Sequence, residues 1–234
     1  MGLLVLVPTR GRPEQCERLL KSFRETTDQA DILFILDHGD EDTYAGLDWG
    51  EASHAVLAPR GTLQEKLNQA AAACADGYDA LMWCGDDHVF RTEHWDTLML
   101  AALEDMGGRG WVYPDTVRRR DVPEIWLCST GLVKELGWLF PPATHMYYGD
   151  NTVGELGKRA GLIRWCPEAI VEHLHYSVAP DVPRDEVYAE AEGTYAQADL
   201  AAYQQYRAAQ LPHDVAMLRR KFSRDLSWVL SRVA

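Results

Sequence analysis

The sequence predicts an α/β fold: a mostly parallel central sheet flanked by helices, followed by a C-terminal helical extension. Two observations predict it. Short apolar runs alternate with amphipathic stretches from the N-terminus to about residue 176, the pattern of strands joined by crossover helices. Several of these runs end abruptly on Gly, Pro or a carboxylate, where α/β sheets carry their ligand crevice. The two parts are expected at 1–178 and 179–234.

Residues 3–7 are continuously apolar and stopped by Pro8, which suits a central strand buried on both faces. Thr9-Arg10-Gly11-Arg12 forms a loop, and Pro13 opens a helix running to about residue 26. Residues 31–37 repeat the strand pattern and finish on Asp37, completing a β-α-β unit. A short third strand at 54–57 leads through Pro59-Arg60-Gly61 to an Ala-rich helix at 63–75.

The run Ala80-Leu81-Met82-Trp83-Cys84 then ends in Gly85-Asp86-Asp87-His88. Adjacent carboxylates repel unless a cation sits beside them, so the pair with its imidazole reads as a site for Mg²⁺ or Mn²⁺, or as a solvated turn. Further on, helices are expected at 93–103 and 132–136, and strands at 111–113 and 126–131. Gly149-Asp150-Asn151-Thr152 caps a helix that stops at Gly161. Asp150 is there either an N-cap or a general base. Short strands at 163–166 and 169–172 lead to His173 and His175, which alternate onto one face as ligands or as structural histidines. Beyond residue 180 an Ala-, Glu- and Tyr-rich helical pattern reads as a packed layer, part of which could cover an acceptor.

Composition narrows the function. A formal charge of −13, from 36 acidic against 23 basic residues, argues against a phosphate-gripping nucleic-acid binder. The dense basic runs Arg118-Arg119-Arg120 and Arg219-Arg220-Lys221 read as solvated faces. Eight Trp and ten Tyr exceed simple core needs and suit flat sugar or base platforms. Five cysteines without a Cys-x-x-Cys pair imply reduced thiols rather than disulfides or a zinc knuckle. With no basic leader and no apolar window near a span's length, a soluble, cytoplasmic protein is expected.

These motifs together resemble the GT-A fold glycosyltransferases that use nucleotide-diphosphate sugars, and especially the family-2-like enzymes, over residues 3–176. Val5-Leu6-Val7-Pro8-Thr9-Arg10-Gly11-Arg12-Pro13 resembles their first strand and nucleotide loop, and Asp86-Asp87-His88 their metal-binding Asp-x-Asp motif. Gly149-Asp150 through Ala160-Gly161 is similar to their Glu-Asp helix. The resemblance implies a Rossmann-like sheet and a donor site at Pro8, Thr9, Arg10, Arg12, Asp37, Arg60, Gly61, Lys66, Asn68 and Asp86. It implies a divalent cation, Mn²⁺ or Mg²⁺, held by Asp87 or Asp86 with His88 and His173. Asp150 falls at the family's catalytic aspartate, which implies an inverting transfer to an acceptor hydroxyl. Two departures stand out. His88 replaces a carboxylate, and Gly149 replaces a glutamate that positions the acceptor. A protein, glycan or small-molecule acceptor is expected over duplex DNA. A sugar-phosphate nucleotidyltransferase and a non-catalytic nucleotide-sugar-binding module are the alternatives.

Overall fold

The computed structural model describes residues 1–50, 52–57, 61–177 and 184–222. Strand β1 (Leu3–Pro8) is buried along its whole length, as an apolar run in the middle of a parallel sheet must be. It pairs in parallel with β2 (Asp31–Asp37) on one side and β4 (Ala80–Trp83) on the other, and β3 (Ser53–Leu57) extends the sheet beyond β2. Helix α1 (Pro13–Thr26) starts on its proline and buries Cys16, Leu19, Leu20 and Phe23, one stripe at helical spacing. Helix α2 (Leu63–Cys74) is fixed by a capping box. The Thr62 hydroxyl accepts from the Glu65 amide at 3.3 Å, and the Glu65 carboxylate accepts from the Thr62 amide at 2.8 Å.

The second half of the sheet is mixed. A short strand β5 (His88–Phe90) and helix α3 (Trp95–Glu104) precede β6 (Trp111–Asp115) and β7 (Trp126–Ser129), and β7 runs antiparallel to both β4 and β6. Helices α4 (Thr130–Leu136) and α5 (Gly149–Ala160) follow, then β8 (Ile163–His173), parallel to β6 and antiparallel to β5. The eight strands lie in the order β3-β2-β1-β4-β7-β6-β8-β5.

Strand β4 ends at Trp83, residues 84–87 leave the sheet, and His88 opens the separate strand β5. One expectation is corrected here. The segments at 163–166 and 169–172 are one strand, since β8 passes through Pro167 with a register irregularity opposite Pro114 and Asp115.

One apolar core joins the sheet to α1 and α3; the other joins it to α2, α4 and α5 and includes Leu211, Val215 and Leu218 of the C-terminal helix α7 (Leu211–Phe222). Helix α6 (Glu186–Ala209) packs on α7 and carries its N-terminal turn across the carboxyl end of the sheet. All five cysteines are free thiols. No helix among the described residues is long and apolar enough to cross a membrane.

Candidate active site

The strand order reverses between β1 and β4, so the connections leaving their carboxyl ends turn to opposite sides and leave a crevice. A cavity of about 530 Å³ occupies it. Its walls come from the loop after β1, the 85–88 turn, the loop after β6, the start of α5, the end of β8 and the first turns of α6.

Adjacent Asp86 and Asp87 have different surroundings. Asp86 Oδ1 accepts from Arg12 Nη1 at 3.0 Å, and its Oδ2 accepts from the Thr9 hydroxyl at 2.7 Å. Burial, with Asp87 alongside, pushes this carboxyl up, while Arg12 pulls against it. Asp86 therefore ties the β1 loop to the β4 end. Asp87 turns the other way, its oxygens lying 2.9 Å from His88 Nδ1 and 3.3 Å from His173 Nε2. The Tyr188 hydroxyl of α6 donates to it as well. Burial would raise Asp87, but His173 and His88 hold it well below the usual carboxylate range.

His88 and His173 are directly opposed in the β5–β8 pairing, which stacks their rings with centroids 4.2 Å apart. Asp87, His88 and His173 each offer a ligand atom within 4.8 Å of the others. The buried ring nitrogen His88 Nε2 lacks a hydrogen-bond partner among the described residues, a costly arrangement for a site with no further occupant. Two imidazoles and one carboxylate form a donor set that Mn²⁺ and similar divalent ions accept. The residues thus fit a divalent cation.

Glu124 completes this corner. It is buried, receives the Thr116 hydroxyl at 2.6 Å and an ion pair from Arg118, and its Oε1 lies 3.5 Å from His173 Nδ1. Burial works against the charge on His173, but Asp87 and Glu124 together lift the imidazole to about 9. Burial likewise opposes ionisation of Glu124, and His173 and Thr116 bring it down to about 2.

Asp150 lines the same cavity from the first turn of α5. The N-cap is Tyr148, in the left-handed region at φ 63°, so the expected capping role for Asp150 gives way to a side chain facing the cavity. Its Oδ1 accepts from the Asn151 amide at 2.7 Å, and its Oδ2 is 3.8 Å from Arg119. Burial raises this carboxyl, only partly opposed by the Asn151 amide and Arg119. Gly149 has a steric cause, because a side chain there would run into the Phe140 ring.

Of the sequence-predicted residues, Pro8, Thr9, Arg10, Arg12, Gly61, Lys66, Asp86, Asp87, His88, Asp150 and His173 line this cavity. Asp37 and Asn68 do not. Asp37 is 2% exposed and is held by Arg10 at 2.7 Å and Lys66 at 2.8 Å. The Asn68 side chain instead clamps a loop, donating to the Phe140 carbonyl at 2.8 Å and accepting from the Leu139 and Phe140 amides at 2.9 Å. Arg60 lies outside the described residues.

Sequence reasoning missed Glu124, Tyr188, Asp185 and Asp199. Asp185 grips Arg12 at 2.8 Å. Asp199, fully buried, accepts from the His145, Met146 and Tyr147 amides at 2.9 Å each and so sets the chain leading into α5. A lone carboxylate in the apolar frame Val122-Pro123-Glu124-Ile125-Trp126, and an Asp inside an Ala-rich helix, were the available signals.

The sheet order and the crevice define a GT-A fold. No protein-family model and no curated protein matches the chain, but solved structures do. A mannosyltransferase from Pyrobaculum calidifontis, in complex with GDP-Man and Mn²⁺, is 13% identical with a TM-score of 0.56, over 92% of this chain and 72% of its own. Glucosyl-3-phosphoglycerate synthase from Mycobacterium tuberculosis, in complex with Mn²⁺, uridine diphosphate and glucosyl-3-phosphoglycerate, is 14% identical with a TM-score of 0.60, over 86% of this chain and 80% of its own. The same synthase with Mn²⁺, uridine diphosphate and phosphoglyceric acid gives 14% and 0.59, over 86% and 78%. At these identities the likeness is one of fold.

Proposed function

We propose that this chain is a metal-dependent, family-2-like glycosyltransferase that moves a sugar from a nucleotide-diphosphate sugar to an acceptor hydroxyl with inversion. The observation that carries this reading is that the cluster of Asp87, His88 and His173 and the carboxylate of Asp150 line a single cavity. Both solved neighbours, a mannosyltransferase and a glucosyl-transferring synthase, hold Mn²⁺ with a nucleotide ligand, which supports the donor class and the cation.

Asp87, His88 and His173 would hold the cation, which as a Lewis acid stabilises the negative charge developing on a departing diphosphate. The remaining chemistry belongs to the chain. The β1 loop, fastened to Asp86 through Thr9 and Arg12, forms the donor wall with Gly61 and Lys66. Asp37, Arg10 and Lys66 form a buried ionic cluster that braces this wall. Asp150 takes the proton of the acceptor hydroxyl as its oxygen bonds to the anomeric carbon and the carbon–phosphate-oxygen bond breaks. The raised affinity of Asp150 for protons brings it closer to what a base working near neutral pH requires.

A panel of nucleotide-diphosphate sugars with Mn²⁺ tests the reading. One donor should stabilise the fold and release nucleoside diphosphate when an acceptor is present. Release of pyrophosphate from a nucleoside triphosphate and a sugar phosphate would instead identify a nucleotidyltransferase. Donor binding without turnover under any metal would identify a non-catalytic module.

A further inference from the structure

The arginine triplet at 118–120 reads from sequence as a solvated face, yet two of its three side chains line the cavity. Arg120 stays outside, 3.5 Å from Asp115. Arg118 is committed to Glu124. Arg119 differs from both. Its guanidinium makes no hydrogen bond among the described residues, and its nearest carboxylates, Asp121 at 3.6 Å and Asp150 at 3.8 Å, lie beyond hydrogen-bond reach. The side chain is 38% exposed, so the planar donor fork is available to a ligand.

The loop that carries Arg119 is pinned. The Thr116 hydroxyl donates to Glu124, the Val117 amide donates to Asp115 Oδ1 at 2.8 Å, and Val117 takes a left-handed φ of 66°, which a β-branched residue adopts only under constraint. On the donor wall the cations are already engaged, Arg12 by Asp86 and Asp185, and Lys66 and Arg10 by Asp37. Arg119 is therefore a cation with unused donors on a pinned loop, placed beside the carboxylate that receives the acceptor's proton.

We infer that Arg119 is an anion subsite for the acceptor, which carries a carboxylate or phosphate close to the hydroxyl that is glycosylated: a small hydroxy acid or a polyol phosphate. The inference rests on the transfer reading, with Asp150 as base. An anionic group set beside Asp150 without a cation would repel it, and the fork of Arg119 both neutralises and orients that group.

The test titrates the whole chain by calorimetry with glycerol 3-phosphate, with D-glycerate and with neutral glycerol, and separately with UDP or GDP plus Mn²⁺. Wild type should bind at least one of the two anions and not glycerol, and the tighter anion identifies phosphate or carboxylate as the group recognised. R119Q should weaken that anion about 10- to 100-fold, the loss expected for charge-assisted hydrogen bonds, with nucleotide binding unchanged. R119K, which keeps the charge but not the fork, should fall between, and it is the variant read if R119Q melts early. No anion binding by wild type, equal affinity in R119Q, or an equal loss of nucleotide binding would overturn the inference. Failure of wild type to bind either nucleotide would instead count against the transfer reading.

Discussion

Replacing Glu124 with glutamine probes how the proposed metal corner is built. The Glu124 carboxylate lies 3.5 Å from His173 Nδ1, while Nε2 of the same ring faces Asp87 at 3.3 Å. Glu124 thus favours the proton on Nδ1 and leaves Nε2 for an ion. The glutamine side chain keeps the shape and loses the charge. Carboxylates behind metal-binding histidines typically contribute 10- to 100-fold in affinity, so E124Q should bind Mn²⁺ about 10- to 100-fold more weakly, about 1.4 to 2.7 kcal/mol. Calorimetric titration at fixed pH measures this, with circular dichroism as the check on fold. Unchanged Mn²⁺ affinity in a folded E124Q would refute the orienting role and assign Glu124 to bracing Arg118 and Thr116 alone.

Three further outcomes follow from particular contacts. D150N should cut turnover about 10²- to 10⁴-fold while leaving donor binding intact, and a near wild-type rate would exclude the general-base role. The buried Asp37 carboxyl is held below its ordinary 3.8: burial opposes this, and Lys66 and Arg10 outweigh it. Its contribution to stability is therefore complete above pH 3.8 and disappears as pH falls through the depressed value. Burial at the same time lowers Lys66, so the pair returns less than its geometry suggests, but D37N leaves that lysine unpaired and should cost about 3 kcal/mol at pH 7 in urea unfolding. The gap from wild type should narrow below pH 3.8, and a gap constant down to pH 3 would contradict the ionic origin. G149A should lose about 1 to 3 kcal/mol, read as a lowered Tm, because its methyl meets a Phe140 ring packed edge-on to Trp83 and stacked on Trp126. An unchanged Tm would mean that the ring can move.

Much of the fold was legible because its strands are buried on both faces, which makes β1 and β2 continuous apolar runs, and because Pro13 and Gly161 punctuate helices by local chemistry. Strand β5 could not be read from the sequence because it has only three residues and directly follows the acidic turn. The candidate site was legible where charged residues and glycines fall at the carboxyl ends of apolar runs. Asp86 and Asp87 could not be told apart locally, since what separates them is Arg12 on one side and His173 on the other, both distant in sequence. The resemblance assigned Asp37 and Asn68 to the nucleotide, yet one is enclosed by two cations and the other is spent on a loop. Helix α6 carried no readable address, because the contacts of Tyr188 with Asp87 and of Asp185 with Arg12 span 101 and 173 residues.

In the proposed reading, a cation held by Asp87, His88 and His173 couples this cavity to a nucleotide-diphosphate sugar. Thermal stabilisation by the best donor of the panel tests it most directly, with Mn²⁺ and with excess chelator, in wild type and in D87N. Wild type should be stabilised by donor with Mn²⁺, and the stabilisation should be lost both on chelation and in D87N. Equal stabilisation in chelator, or in D87N with Mn²⁺, would contradict that reading.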